Sequence, residues 1–195
     1  MHSEPSLVNF KKTESESVAF YSFKLHKMYK MTQGQQKLLK GVHVLSSGLW
    51  LSCVIILALL PILSKGILSG DEIYMYNLMY HFIDMYILTP AAIMTLMTGF
   101  IYSMFTKWGF FQHAWLVYKW IVTLVIIISG TFYLGPMTSD LLQIADTKRV
   151  AALHDPYYVF GQSIGVIAAI INSLLLIVAV FLSIYKPWGK IKKAK

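Results

Sequence analysis

The chain alternates long apolar stretches with short polar segments, and four of the stretches are long enough to cross a membrane. They run from near Lys40 to the region of Pro61, from about Glu72 to Thr106, from Lys107 to Pro136, and from Pro156 to about Tyr185. About twenty predominantly apolar residues let a helix cross the roughly 30 Å hydrocarbon core of a bilayer. The pattern therefore predicts an all-α fold, a bundle of four transmembrane helices.

Proline and glycine indicate where these helices bend or end. Pro90 has no amide hydrogen, so we expect the second helix to bend near Tyr86. Gly135 and Pro136 are expected to end the third helix. A loop of mixed charge should follow, in which residues 139–153 could form a short amphipathic helix.

A polar segment of residues 1–36 precedes the predicted membrane domain of residues 37–195. Between Val18 and Met31, apolar side chains at helical spacing are interleaved with lysines, among them Lys24 and Lys30. This pattern favours an amphipathic helix lying at the surface of an anionic leaflet. It fits a solvated basic tail equally well.

Composition and charge define the class of protein and its surroundings. Of 195 residues, 56% are hydrophobic and only 13% are charged, about half the charged share of a soluble domain. The net charge is +8, but the basic residues flank the apolar stretches. The expected partners are therefore the lipid bilayer and its anionic head groups, and not nucleic acid. Cys53 is the only cysteine, which excludes a disulfide framework within the chain.

The distribution of lysine predicts the orientation of the helices. Basic residues are concentrated before the first stretch, around Lys107 and after Tyr185. These places lie on one side of a bundle with an even number of spans, and an excess of lysine marks the cytoplasmic side. Both termini are therefore predicted to be cytoplasmic.

Two histidines start different spans from the same side. His43 lies near the start of the first span and His113 near the start of the third, so they should lie at similar depth. Two histidines from different helices can be the axial ligands of a haem iron, and a four-helix interior can hold the macrocycle. We therefore predict that His43 and His113 bind haem b, and that Lys40 and Lys119 contact its propionates.

Other placements of these polar groups remain open. An ammonium group costs about 3 kcal/mol at the centre of a membrane helix, so Lys119 must pair, face a polar cavity, or extend along its own helix to the lipid surface. A second haem site could use His81, oriented by Asp84 three residues later. Each histidine could also be a polar residue at the membrane surface.

Five segments carry a family resemblance: K-L-L-K-G-V-H-V-L-S-S-G-L-W from Lys37, D-M-Y-I-L-T-P from Asp84, T-G-F-I-Y-S from Thr98, K-W-G-F-F-Q-H-A-W from Lys107, and G-T-F-Y-L-G-P from Gly130. Together they resemble a family of bacterial integral membrane proteins without assigned function. The chain is also similar to clostridial haem-sensing membrane proteins, and its first helix resembles the copper-resistance-D-like and the haem-binding membrane protoporphyrinogen-oxidase-like families. The resemblance implies a bacterial cytoplasmic membrane, matches His43 to the motif histidine, and loosely matches Lys119 to a membrane lysine.

The sequence thus predicts a membrane protein that binds haem b, for haem sequestration or for haem-based protection against oxidative stress. One alternative is a non-haem protein that exports or senses a small molecule or copper. Another is a structural partner subunit. The substrate, the electron donor and the oligomeric state, including a homo-oligomer, stay open at this stage.

Overall fold

The computed structural model describes residues 31–63, 66, 69–105 and 112–187. Except for Met31, the amphipathic segment predicted from Val18 lies outside the described residues. The α-helices are Gln33–Leu63, Gly70–Phe82, Thr89–Phe105, Ala114–Ser129, Gly135–Lys148 and Pro156–Tyr185. Two π-helical segments, Ile83–Leu88 and Gly130–Leu134, join consecutive α-helices, and a 3₁₀ segment, Arg149–His154, precedes the last one.

Four helical stretches are long and apolar enough to cross a membrane. They are span 1 (Gln33–Ile62), span 2 (Gly70–Phe105), span 3 (Ala114–His154) and span 4 (Pro156–Tyr185). The predicted all-α bundle of four transmembrane helices is therefore confirmed. We call the end at which spans 1 and 3 begin the lower end, and the end at which spans 2 and 4 begin the upper end.

The chain divides into two compact units, residues 1–38 and 39–195. In the first unit, Thr32 and Gln35 cap the start of the first helix, because each side chain accepts a hydrogen bond from the backbone amide of the other residue. The Gln35 amide donates to Thr32 Oγ1 at 3.2 Å, and the Thr32 amide donates to Gln35 Oε1 at 2.9 Å. This cap explains why the first helix begins at Gln33, earlier than the predicted start near Lys40.

Two buried clusters hold the spans of the second unit together. Both consist mainly of apolar side chains. Each includes two alanines, whose small side chains allow close packing between membrane helices. The first cluster draws on all four spans: Trp50, Val54, Ala91, Ala92, Val122, Ile126 and Leu176. The second joins spans 2, 3 and 4 toward the upper end: Ile73, Met137, Leu141, Ala145, Ala152 and Tyr158. Trp50 is only 1% exposed and lies in the core.

Span 2 passes Pro90 through the π-helical segment Ile83–Leu88. Pro90 has no amide hydrogen for the carbonyl of Tyr86, so the regular α-helical bonding cannot continue there. Instead the Thr89 amide donates to the Asp84 carbonyl, five residues back, and Thr89 Oγ1 donates to the same oxygen at 2.9 Å. The bend near Tyr86 stays a prediction.

The prediction that Gly135 and Pro136 end the third helix is wrong. The Gly135 amide donates to the Gly130 carbonyl, which closes the π-helical segment. Pro136 then lies in the first turn of the following α-helix, where a missing amide hydrogen is tolerated. The helix expected within residues 139–153 is present, as α-helix through Lys148 and then as the 3₁₀ segment, but it continues span 3 and does not lie in a separate loop.

Asp155 starts span 4 at the predicted residue, Pro156. Its Oδ1 accepts from the amides of Tyr157 and Tyr158, at 2.9 and 3.0 Å, and its other carboxylate oxygen pairs with Lys148. Lys148 and the two amides hold the pKa of the Asp155 carboxyl below its usual value. The span ends at Tyr185, also as predicted, because Lys186 adopts a left-handed conformation with φ of 46°.

Candidate functional site

His43 contacts span 2 from the lower half of span 1. Its Nδ1 lies 2.9 Å from Thr98 Oγ1. A second bridge joins the two spans one turn higher, where Thr95 Oγ1 lies 3.0 Å from Ser46 Oγ. The imidazole is therefore held in one position between two helices.

The bonds of Thr98 determine which nitrogen of His43 carries hydrogen. Thr98 Oγ1 lies 2.6 Å from the Met94 carbonyl and 3.1 Å from that of Thr95, so its single hydrogen is directed to its own helix. Toward His43 the hydroxyl can only accept. This assigns the hydrogen to Nδ1 and leaves the lone pair on Nε2, the arrangement found in metal-binding histidines whose other nitrogen is fixed by a hydrogen bond.

Gly99 provides space for the ring against span 2. A Cβ atom built at this position would lie 3.4 Å from His43 Cε1 and 3.8 Å from Nδ1, which is ordinary contact distance. Any side chain longer than alanine would therefore press on the imidazole. The glycine therefore lets the ring approach the backbone of span 2.

Lys119 of span 3 lies at the same level as His43. Phe100 of span 2 contacts Trp120 of span 3 edge to face, with ring centroids 6.3 Å apart, which aligns this part of span 3 with Thr98. Lys119 is half-buried. Among the described residues, no carboxylate pairs with its ammonium group. A cation in this position favours an anionic partner.

His113 precedes the helix of span 3 as its N-cap residue. It is buried, 9% exposed, and its ring centroid lies 6.0 Å from that of Trp115. Because it comes six residues before Lys119, it lies about 9 Å closer to the lower end along the helix axis. The structure thus brings His43 level with Lys119, and the pairing of His43 with His113 stays a prediction.

Lys40 is the other lysine that was predicted to contact a haem propionate. Lys40 is exposed on span 1, one turn below His43. In the described ranges, no group of three or more His, Cys, Asp or Glu side chains is placed to hold a metal ion.

The alternative site at His81 and Asp84 lies in the upper half of span 2. Both residues are half-buried. Asp84 accepts a hydrogen bond from Thr138 Oγ1 at 3.4 Å, whereas His81 Nδ1 is buried with no hydrogen-bond partner in the described parts of the chain. Asp84 therefore does not orient His81 through Nδ1.

Sequence reasoning missed two sets of polar residues. Thr98 was not predicted as the partner of His43, although the hydroxyl of a threonine inside an apolar span usually needs a hydrogen-bond acceptor. Near the upper end, the side chains of Tyr76, Asn77, Tyr158 and Gln162 form one hydrogen-bonded network between spans 2 and 4. Asn77 and Gln162 are conspicuous in the sequence as polar residues in apolar stretches, but nothing in the sequence pairs them.

Comparison of this chain with protein-family models, with curated proteins and with solved structures finds no match. The resemblance described above therefore rests on the quoted segments alone.

Proposed function

We propose that this membrane protein binds haem b in the lower half of its bundle, with His43 as an axial ligand of the iron. The observation that carries the proposal is the state of His43, whose Nδ1 is bonded to Thr98 and whose Nε2 keeps its lone pair. A haem needs only one or two protein ligands, because the porphyrin supplies the others. The proposed role is haem sequestration or haem-based protection against oxidative stress.

The residues around His43 fit a haem in two further respects. Lys119 places an ammonium group without a carboxylate partner at the same level, and a haem propionate would supply the missing negative charge. Gly99 has no side chain to displace the imidazole from its position against span 2. His113 is the candidate for the second axial ligand. Bound haem would contribute a redox-active iron, while the protein would orient its ligand and exclude water.

Thr98 provides a test that leaves the proposed ligand in place. We expect Thr98→Val to raise the haem dissociation constant by about tenfold, since loss of the hydrogen bond behind a metal-binding histidine typically costs 10–100-fold. Thr98→Ser should bind haem like the wild type, because it keeps the hydroxyl. Both constants can be measured by titrating haem into the purified apoprotein. Equal haem affinity in Thr98→Val and Thr98→Ser would contradict the assigned role of His43.

The proposed location is a bacterial cytoplasmic membrane, with anionic head groups near the lower end and both termini in the cytoplasm. Lysines that follow span 4, among them Lys190 and Lys195, support this orientation. We expect a cytoplasmic reporter fused after Lys195 to be active and a periplasmic reporter at the same position to be inactive. A fusion between spans 1 and 2 should give the reverse result. Activity of the periplasmic reporter at Lys195 would refute the orientation.

A further inference from the structure

A cavity of about 320 Å³ lies near the upper end, on the opposite half of the bundle from His43. Span 1 contributes Pro61, span 2 contributes Ile73 and Tyr76, and span 4 contributes Tyr158, Gln162 and Val166. Small-molecule sites in proteins have volumes of about 300–1,000 Å³, whereas a water molecule occupies about 30 Å³. The cavity is therefore large enough for a molecule of one or two rings.

The lining of the cavity indicates an uncharged occupant. All the described residues that line it are apolar, aromatic, or neutral polar residues, and none carries a charge. The cavity lies between helices that are long and apolar enough to span the membrane, and Val159 at its edge is 48% exposed on the outer surface of the bundle. A ligand would therefore enter from the outer surface of the bundle, beside Val159.

Tyr158 supplies a hydrogen-bond donor to the cavity. Asn77 Nδ2 donates to the Tyr158 hydroxyl oxygen at 2.8 Å. The hydroxyl oxygen is thus used as an acceptor, and its own hydrogen has no acceptor among the described residues. Because Tyr158 is only 4% exposed, bulk water does not satisfy this hydrogen.

The amide network fixes this donor in position. Asn77 Nδ2 also donates to the Ile73 carbonyl at 2.8 Å, and Asn77 Oδ1 accepts from Gln162 Nε2 at 2.9 Å. Gln162 Oε1 in turn accepts from the Tyr76 hydroxyl at 3.2 Å. These bonds assign both amides in one orientation, so that the NH₂ group of Asn77, and not its carbonyl oxygen, faces Tyr158.

We propose that this cavity binds a neutral, membrane-dissolved ring compound that carries a carbonyl oxygen, such as a quinone. The carbonyl accepts the hydrogen bond from Tyr158, and the ring lies among Pro61, Tyr76 and Val166. An acyl chain alone lacks the acceptor that Tyr158 requires. The proposal concerns binding only and is independent of the haem site.

The test uses two probes of similar size, 2-methyl-1,4-naphthoquinone and 2-methylnaphthalene, which differ in the carbonyl oxygens. Equilibrium binding is measured with the full chain in phosphatidylcholine nanodiscs. We expect the wild type to bind the quinone saturably and about fivefold more tightly than the hydrocarbon, the effect of one hydrogen bond. In Tyr158→Phe, this preference for the quinone should disappear. Tyr157→Phe is the matched control and should keep the preference, because the Tyr157 hydroxyl bonds to Asp140 outside the cavity.

A second variant tests the location without changing the network. Val166→Phe should fill the cavity and weaken the binding of both probes by at least tenfold. Val178→Phe, which places the same ring at a 44% exposed position on span 4, should leave binding unchanged. Three results would overturn the proposal: no saturable quinone binding, equal binding of the two probes by the wild type, or displacement of the quinone by phospholipid esters alone.

Discussion

Replacing His43 by alanine is expected to lower the haem affinity of the protein by at least tenfold. The variant loses an iron ligand, whereas loss of a hydrogen bond behind such a ligand already costs 10–100-fold. Thr98 remains and can bond to water, so the fold around the site should persist. The measurement is haem per protein after expression in haem-replete cells and purification under identical conditions.

Two other histidine variants make this result specific. His154→Ala is the matched control, because His154 is exposed at the end of the 3₁₀ segment and should have no effect. His81→Ala tests the alternative site in the upper half of span 2. Haem loss confined to His81→Ala, with normal haem in His43→Ala, would move the site to the upper half of the bundle.

The second large effect is expected where Gly161 of span 4 packs against Leu141 of span 3. A Cβ atom at Gly161 would lie only 2.8 Å from Leu141 Cδ2 and 3.2 Å from Cδ1. Leu141 is 5% exposed within the upper cluster, so its side chain has little room to move. We expect Gly161→Leu to lower the free energy of unfolding by about 2–3 kcal/mol, the cost of overpacking a core, as measured by unfolding in detergent.

Gly48→Leu is the matched control for this substitution. A Cβ atom at Gly48 meets no atom within 4 Å, so leucine there should change the free energy of unfolding by less than about 0.5 kcal/mol. Adding Leu141→Ala to Gly161→Leu should recover part of the loss, because it removes the atoms that collide. If the double variant loses as much free energy of unfolding as the two single variants together, then the close contact between Gly161 and Leu141 is not the cause of the destabilisation by Gly161→Leu.

The spans could be predicted from the sequence because length and hydropathy alone decide whether a helix can cross a membrane. The start at Pro156 was also predictable, since Asp155 and Pro156 are typical residues for the start of a helix. Gly135 and Pro136 misled the prediction for a physical reason. The same two residues can end a helix or begin a new α-helix after a π-helical segment, and the local sequence does not distinguish these outcomes.

The candidate site was only partly predictable. Depth follows from position along a span, so His43 and Lys119 could be placed in the lower half from the sequence. The contact between His43 and Thr98 joins residues 55 positions apart, and it depends on how two helices are rotated about their axes. The network of Asn77, Tyr158 and Gln162 depends on rotation in the same way. Each span is apolar on its lipid-facing side as well as on its core-facing side. Hydropathy therefore indicates only weakly how a span is rotated about its axis.

The absorption spectrum of the purified wild-type protein, expressed in haem-replete cells, tests the central claim most directly. We predict the Soret band of a protein-bound haem b, with a position that shifts on reduction and on replacement of His43. A spectrum without a Soret band, from folded protein to which haem was also added after purification, would contradict the proposed function.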